Sequence, residues 1–161
     1  TATIKELKPG QKVYVDGAYG SFTCDRYPQA KALILIAGGI GITPIMSMLR
    51  TLADRKDKRP LILFYANRDW ENITFREELD NLQKKLNLKV VHILEKPPRD
   101  WKGETGFLTP EILNRHIDLT LHSLEPQIFV CGPVPMMNAV EKQLAEIGFR
   151  FPQVHSERFA L

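Results

Sequence analysis

Apolar residues along this chain come in short, regularly spaced blocks. Ala32 to Ala37 is an unbroken run built on Leu and Ile, the mark of a strand buried on both faces of a parallel sheet. Glycines end it, and Thr43-Pro44 then opens a helix, with Thr43 as N-cap, Pro44 at the first helical position and Ile45, Met48, Leu49 and Leu52 as its apolar stripe. Pro60 introduces a second buried strand, Leu61 to Ala66. Thr74-Phe75-Arg76-Glu77 has capping-box spacing and leads into Phe75, Leu79, Leu82 and Leu86 at helical intervals. Leu88 to Leu94 reads as a third strand, Pro97 to Gly103 as loop, and Thr109-Pro110 as the cap of a short helix. Gln127 to Val130 is a fourth strand. Met136, Met137, Val140, Leu144 and Ile147 mark a helix stopped at Gly148, and Val154 to Phe159 makes a last strand. Strands alternating with helices at this spacing predict right-handed crossovers and an α/β fold, a doubly wound parallel sheet of five strands.

Residues 1–30 break this rhythm. Lys8-Pro9-Gly10 reads as a turn, Lys12 to Val15 as a short alternating strand and Asp16 to Gly20 as a glycine-rich loop. We expect two parts: the end of another domain with its connector over 1–30, and a nucleotide-type domain over 31–161. The chain begins Thr1-Ala2-Thr3, without Met or a leader, and so reads as a piece of a longer protein.

Composition narrows the functions. A formal charge of +3, with bases scattered among acids, disfavours a nucleic-acid partner. Cys24 and Cys131 are the two cysteines, too far apart in sequence for a disulfide framework, a zinc site or an iron–sulfur cluster, and they point to a reducing, cytoplasmic setting. His92, His116, His122 and His155 lack the spacing of metal ligands. No apolar run reaches the roughly 20 residues of a membrane span.

Three segments at strand ends carry candidate chemistry. In open parallel sheets, ligands settle beyond the carboxyl ends of the strands. Gly38-Gly39-Ile40-Gly41-Ile42-Thr43-Pro44 joins a buried strand to a helix, so its glycines let backbone approach a phosphate while the helix N-terminus favours an anion. A tight turn with no ligand is the alternative. No Gly-Lys-Ser/Thr follows, which argues against a kinase-like phosphate loop. Asn67-Arg68 ends the second strand where an adenosine ribose is recognised; an Arg suits a 2′-phosphate, which leans the reading toward NADPH, and a solvated turn is the alternative. Cys131-Gly132-Pro133-Val134-Pro135-Met136 forms a tight turn with a thiol at the strand tip. No His lies near it in sequence, so the thiol reads as a packing wall beside a ring, or as a buried Cys without catalytic duty.

Gly-Gly-x-Gly-x-Thr-Pro, then Tyr-Ala-Asn-Arg with a following Phe-Arg-Glu-Glu-Leu, then Cys-Gly-Pro-x-x-Met-Met, in this order and spacing, closely resemble the ferredoxin–NADP reductase superfamily. The resemblance spans nearly the whole chain. It implies that Gly39, Gly41, Thr43 and Pro44 contact the dinucleotide pyrophosphate and nicotinamide side, that Asn67 and Arg68 sit by the adenosine, and that Cys131, Gly132, Pro133 and Met136 line the nicotinamide approach. Asp16-Gly17-Ala18-Tyr19-Gly20 looks like the connector leaving the flavin barrel, with Tyr19 and Gly20 near cofactor and Ala18 where the family has proline. Gly106 to Thr109 looks like the segment before the fourth strand. Glu157-Arg158-Phe159 is similar to the acid-x-aromatic ending, so the resemblance adds Phe159 as the ring over the flavin and Glu157, with Cys131, as its catalytic neighbours; Phe159 closing a core is the alternative.

The implied activity is that of an NAD(P)H-dependent flavin oxidoreductase. This chain would bind NADP or NAD and deliver hydride to FAD held by an upstream domain, for onward one-electron transfer to heme, iron–sulfur protein or metal. The family's Arg-x-Tyr-Ser type flavin motif is not in the chain, so a fragment inactive without its FAD domain is expected. The helix and ending look closer to soluble, bacterial-type flavin reductases and to the cytoplasmic domains of ferric reductases and NADPH oxidases than to plant-type reductases, which allows a place on the cytoplasmic face of a membrane protein. The alternative is a non-catalytic nucleotide-binding module for regulation or interaction.

Overall fold

The structure is a computed structural model that describes residues 6–14, 16–17 and 20–158. Its centre is a six-stranded, wholly parallel sheet of β1 (Leu33–Gly38), β2 (Leu61–Asn67), β3 (Leu88–Leu94), β4 (Glu104–Thr105), β5 (Gln127–Cys131) and β6 (Val154–Glu157), in the order β4-β3-β2-β1-β5-β6. Five of these were expected. The sixth, β4, is a two-residue edge strand too short to leave a periodic signal.

Side-chain alternation explains the unbroken apolar strands. Along β1, Leu33, Leu35 and Ala37 enter one core with α1 (Ile42–Asp54) and α2 (Arg76–Lys85), while Ile34 and Ile36 enter the other with α3 (Pro110–His116) and α5 (Val134–Glu146). Both faces are covered, so both sets of positions must be apolar. A further short helix, α4 (Leu119–Ser123), was not anticipated; Asp118 caps it, accepting from Leu121 N–H at 2.7 Å.

Two predicted caps are corrected. Helix α1 starts at Ile42, one residue before Thr43, because a 3₁₀ turn over Gly39–Gly41 runs straight into it. Thr43 lies inside the first turn, its hydroxyl donating to Ile40 O at 3.0 Å, and Gly41 takes the cap position with no side-chain bond. Helix α2 has no capping box. Phe75 precedes it in the left-handed region at φ 62°, where the extended geometry of a Thr or Ser cap is lost, and Thr74 is drawn instead to the Tyr65 hydroxyl. The Thr109 cap is as expected, accepting from Ile112 N–H at 3.3 Å.

The beginning of the chain also departs from expectation. Residues 11–14 pair with no strand and lie exposed, since an isolated extended segment gains nothing without a neighbour to bond; Val15, the predicted end of that strand, is outside the described residues. Among the described residues the barrel remnant is thus not seen. Residues 22–27 instead pack on the α1 side of the sheet, with Cys24 buried and Phe22 and Tyr27 edge-on to Phe129 at 5.5 and 6.0 Å.

Candidate functional site

The chain builds outward from β1 through β2 and β3 to β4, then returns across β1 to add β5 and β6. The strand order therefore reverses between β1 and β5, and the turns leaving those two strands face each other across the reversal. Gly38 to Ile42 leaves β1; Cys131 to Val134 leaves β5. Their contact is intimate. A Cβ on Gly41 would stand 2.2 Å from Cys131 O and 2.8 Å from Gly132 N, and one on Gly38 would stand 2.5 Å from Met136 Sδ and 3.0 Å from Pro133 Cδ. Gly132 is within 3.1 Å of Gly38 by the same measure. At Gly41, where the atoms met are backbone, only glycine lets the two turns interlock. Gly39 is different: it has φ +50° and open space around it, so there glycine supplies a backbone conformation.

Both following helices present bare N-termini to this junction. Neither α1, capped by Gly41, nor α5, capped by Pro133, has a side-chain cap or an acid in its first turn, so both turn a positive dipole end to the junction, although the Ile42 N–H of α1 bonds back to the 3₁₀ turn. Beside the α5 N-terminus opens a cleft of about 590 Å³, walled by Asn67, Glu95, Phe107, Pro133, Met136 and Gln143 among others, a size suited to a small-molecule ligand. Two buried polar atoms in that lining, Asn67 Nδ2 and Gln143 Oε1, make no well-formed hydrogen bond among the described residues, although Asn67 lies close enough to the Tyr65 hydroxyl to affect its acidity. The Tyr65 hydroxyl itself donates to Gly39 O at 3.4 Å and so ties the end of β2 to the glycine turn. Two orphan amide groups in the cleft, with the glycine-packed junction and the α5 N-terminus at its side, make a place that fits a phosphorylated, ring-bearing group.

The structure places the predicted residues unevenly. Gly38, Gly39, Gly41, Gly132, Pro133, Met136 and Asn67 meet at the junction or in the cleft. Thr43 is exposed on the first turn of α1, and Arg68 is exposed at the end of β2, where its carbonyl accepts from Lys96 N–H at 2.6 Å. Gly20, Pro44 and Glu157 gather in a separate recess of about 500 Å³ on the α1 side. Tyr19 and Phe159 lie outside the described residues. Glu95 and Gln143 had not been singled out. Glu95 directly follows the buried strand β3, so the strand-end rule could have found it; Gln143 sits mid-helix in α5 with no sequence signal.

Cys131 ends β5, wholly buried and in register with Glu157 of β6. Burial, and then the Glu157 carboxylate, push its thiol up to about 11, so at neutral pH it is a protonated, apolar wall and not a nucleophile. Burial likewise raises Cys24. Iodoacetamide at pH 7.5 is accordingly expected to modify either thiol at least about tenfold more slowly in the native protein than after denaturation, with the rate climbing as pH approaches 11. Rapid native labelling of Cys131, read by mass spectrometry, would contradict this.

A doubly wound sheet with a glycine turn and two bare helix N-termini at its switch point defines a nucleotide-binding α/β domain. The family model of the oxidoreductase NAD-binding domain matches residues 35–142, and the chain belongs to that family. It is 35% identical over 144 residues to NADH-cytochrome b5 reductase 1 of Candida albicans, covering 88% of this chain and 48% of that protein. It is 38% identical over 135 residues to the NADH nitrate reductase of Spinacia oleracea, covering 81% of this chain and 14% of that one. Among solved structures, the CS-b5R domains of human Ncb5or in the NAD+ form align at a TM-score of 0.74 and 27% identity, over 86% of this chain and 39% of that one. The cytochrome b5 reductase domain of Ulva prolifera nitrate reductase aligns at 0.71 and 27%, over 80% and 49%. The chain spans about half the length of the cytochrome b5 reductases it matches. Among the described residues no helix is long and apolar enough to cross a membrane.

Proposed function

We propose that this chain is the nicotinamide-dinucleotide-binding domain of a flavin reductase, which presents NAD(P)H to FAD carried by an upstream domain, with residues 1–30 as the end of that domain and its connector and 31–161 as the coenzyme domain. The observation that carries the reading is the interlock of the two turns at the switch point, Gly38 to Ile42 against Cys131 to Val134. The names of the relatives, NADH-cytochrome b5 reductase and NADH nitrate reductase, support it.

When bound, the coenzyme supplies a hydride that the flavin takes up before passing single electrons to heme, an iron–sulfur protein or a metal. The chain's residues do the holding. Gly39, Gly41, Thr43 and Pro44, with the α1 N-terminus, receive the pyrophosphate. Asn67, Arg68 and Glu95 take the adenosine side. Gly132, Pro133 and Met136 form the nicotinamide approach, where the buried Cys131 excludes water and sets a wall for ring alignment. Gly20, Glu157, Tyr19 and Phe159 belong to the flavin side, Phe159 as the ring that covers the flavin until the coenzyme arrives.

We read the coenzyme as NADH in preference to NADPH. Glu95 lines the cleft beside Asn67, to whose carbonyl its N–H donates at 3.0 Å, while Arg68, the residue that leans the sequence toward NADPH, is not in the lining. A carboxylate there accepts from a ribose 2′-hydroxyl and repels a 2′-phosphate. Anaerobic NADH added to the flavin-complete protein is expected to bleach the flavin absorbance within the mixing time of a manual experiment. Absence of both bleaching and calorimetric NADH binding would overturn the reading.

A further inference from the structure

One wall of the cleft, the segment Gly106 to Thr109, is pinned to the core at Leu108, which is 5% exposed, and is loose around it. Its strand, β4, is two residues long and pairs along one edge, with β3. Phe107 is 73% exposed, so its ring is not anchored by packing. A backbone bond from Gly106 N–H to Leu94 O at 2.8 Å secures one side. Further restraint comes from Glu104, two residues before the segment. Its carbonyl accepts from the Trp101 indole N–H at 2.9 Å, one carboxylate oxygen accepts from Arg115 Nη1 at 2.6 Å, and the other pairs with His116 Nε2 at 2.7 Å.

The Glu104–His116 pair differs from the ion pairs on the open surface, although Arg115 itself is 61% exposed. Glu104 and His116 are 13% and 18% exposed, whereas Arg50 and Glu78 are 50% and 38% exposed, where solvent screening leaves a pair worth little. The His116 ring packs edge-on to Phe64 at 6.1 Å, and its Nδ1 is buried without a hydrogen-bond partner among the described residues, so the bond to Glu104 is the polar contact that fixes it. The geometry closes a loop. Thr109, at the far end of the wall, caps the first turn of α3, and Glu104, at the near end, grips Arg115 and His116 in the last turn of the same helix. The wall is stretched along α3 between two fixed points.

We propose that Glu104 is a positioning residue for coenzyme binding, holding Phe107 and its neighbours against the cleft through Arg115 and His116. The proposal rests on the reading of the cleft as the coenzyme site. It predicts that releasing the carboxylate weakens coenzyme binding and leaves hydride transfer from bound coenzyme unchanged.

The test compares wild type, Glu104→Ala, Glu104→Gln and Arg115→Met. The measurements are calorimetric titration with NAD+, kcat and KM for NADH in the flavin-complete protein, and amide hydrogen exchange. For Glu104→Ala we expect Kd and KM to rise roughly fivefold with kcat within about twofold of wild type, and exchange to quicken at residues 105–109, while Glu104→Gln, which keeps one accepting oxygen, falls between. If Glu104→Ala does not fold, Glu104→Gln and Arg115→Met carry the same expectation at smaller size. Unchanged Kd and KM in variants whose 105–109 amides exchange faster would overturn the positioning role, as would a kcat that falls in step with affinity. If wild type binds no NAD+, the coenzyme reading fails, and exchange alone decides the restraint: quickening confined to 105–109 upholds it, and an unchanged pattern overturns it.

Discussion

Alanine at position 41 is expected to unseat the coenzyme site and destabilise the whole domain, although it adds one methyl group. The methyl would meet Cys131 O at 2.2 Å, Cys131 C at 2.5 Å and Gly132 N at 2.8 Å. All three are backbone atoms at the end of a central strand, so no side chain can swing aside. Relief requires the β1 and β5 turns to separate, against a core in which every residue of β1 is buried. Overpacking of this kind costs about 3 kcal/mol, which for a domain of this size lowers Tm by roughly 6–12 °C. NADH affinity should fall by more than about tenfold, because the bare α1 and α5 N-termini no longer point at one place. Neighbouring glycines supply the controls. Gly39→Ala meets only open space and bears the strain of φ +50°, on the order of 1–2 kcal/mol. Gly38→Ala presses chiefly on the end of the flexible Met136 side chain, so Met136→Ala should restore much of what it loses. Thermal unfolding and NADH titration of Gly41→Ala, both matching wild type, would show that the turns are not interlocked.

The ease with which parts of this molecule are read from sequence follows from the range of the forces that fix them. Ala32 to Ala37 announces a central strand because both faces of β1 are covered, and that demand falls on every residue in the run. The glycines at 38, 39 and 41 stand out as a cluster, but sequence shows only that they are special. It does not show that Gly41 answers to Cys131, ninety residues on, or that Gly39 answers to its own φ. Caps were less legible because they depend on a single competing contact: Thr74 has the spacing of a capping box and turns to Tyr65 instead. Strand β4 exists only because β3 offers an edge, a tertiary cause with no local trace. Glu95 was overlooked for a related reason. Its position after β3 is visible, yet its place beside Asn67 depends on β2 and β3 pairing in register through Asn67 and Leu94.

That pairing makes coenzyme choice the most direct measure of the proposed function. A 2′-phosphate carries about −1.5 to −2 charges at neutral pH, and a unit charge 4 Å away in a solvent-exposed setting interacts with each by about 1 kcal/mol. Glu95 lines the cleft, and Arg68 stands exposed outside its lining, so the carboxylate should dominate and NADH should be preferred. Neutralising it in Glu95→Gln removes one such repulsion and should shift the ratio of kcat/KM for NADH over NADPH by about tenfold toward NADPH; reversing it in Glu95→Lys should shift the ratio roughly 100-fold. Arg68→Ala should act in the opposite sense, weakening NADPH more than NADH. High salt should shrink every one of these differences, because each charge is reached by solvent before the coenzyme arrives. Equal losses for both coenzymes in Arg68→Ala would remove Arg68 from the adenosine side, and a ratio in Glu95→Lys that stays at the wild-type value would place the ribose elsewhere than the end of β3.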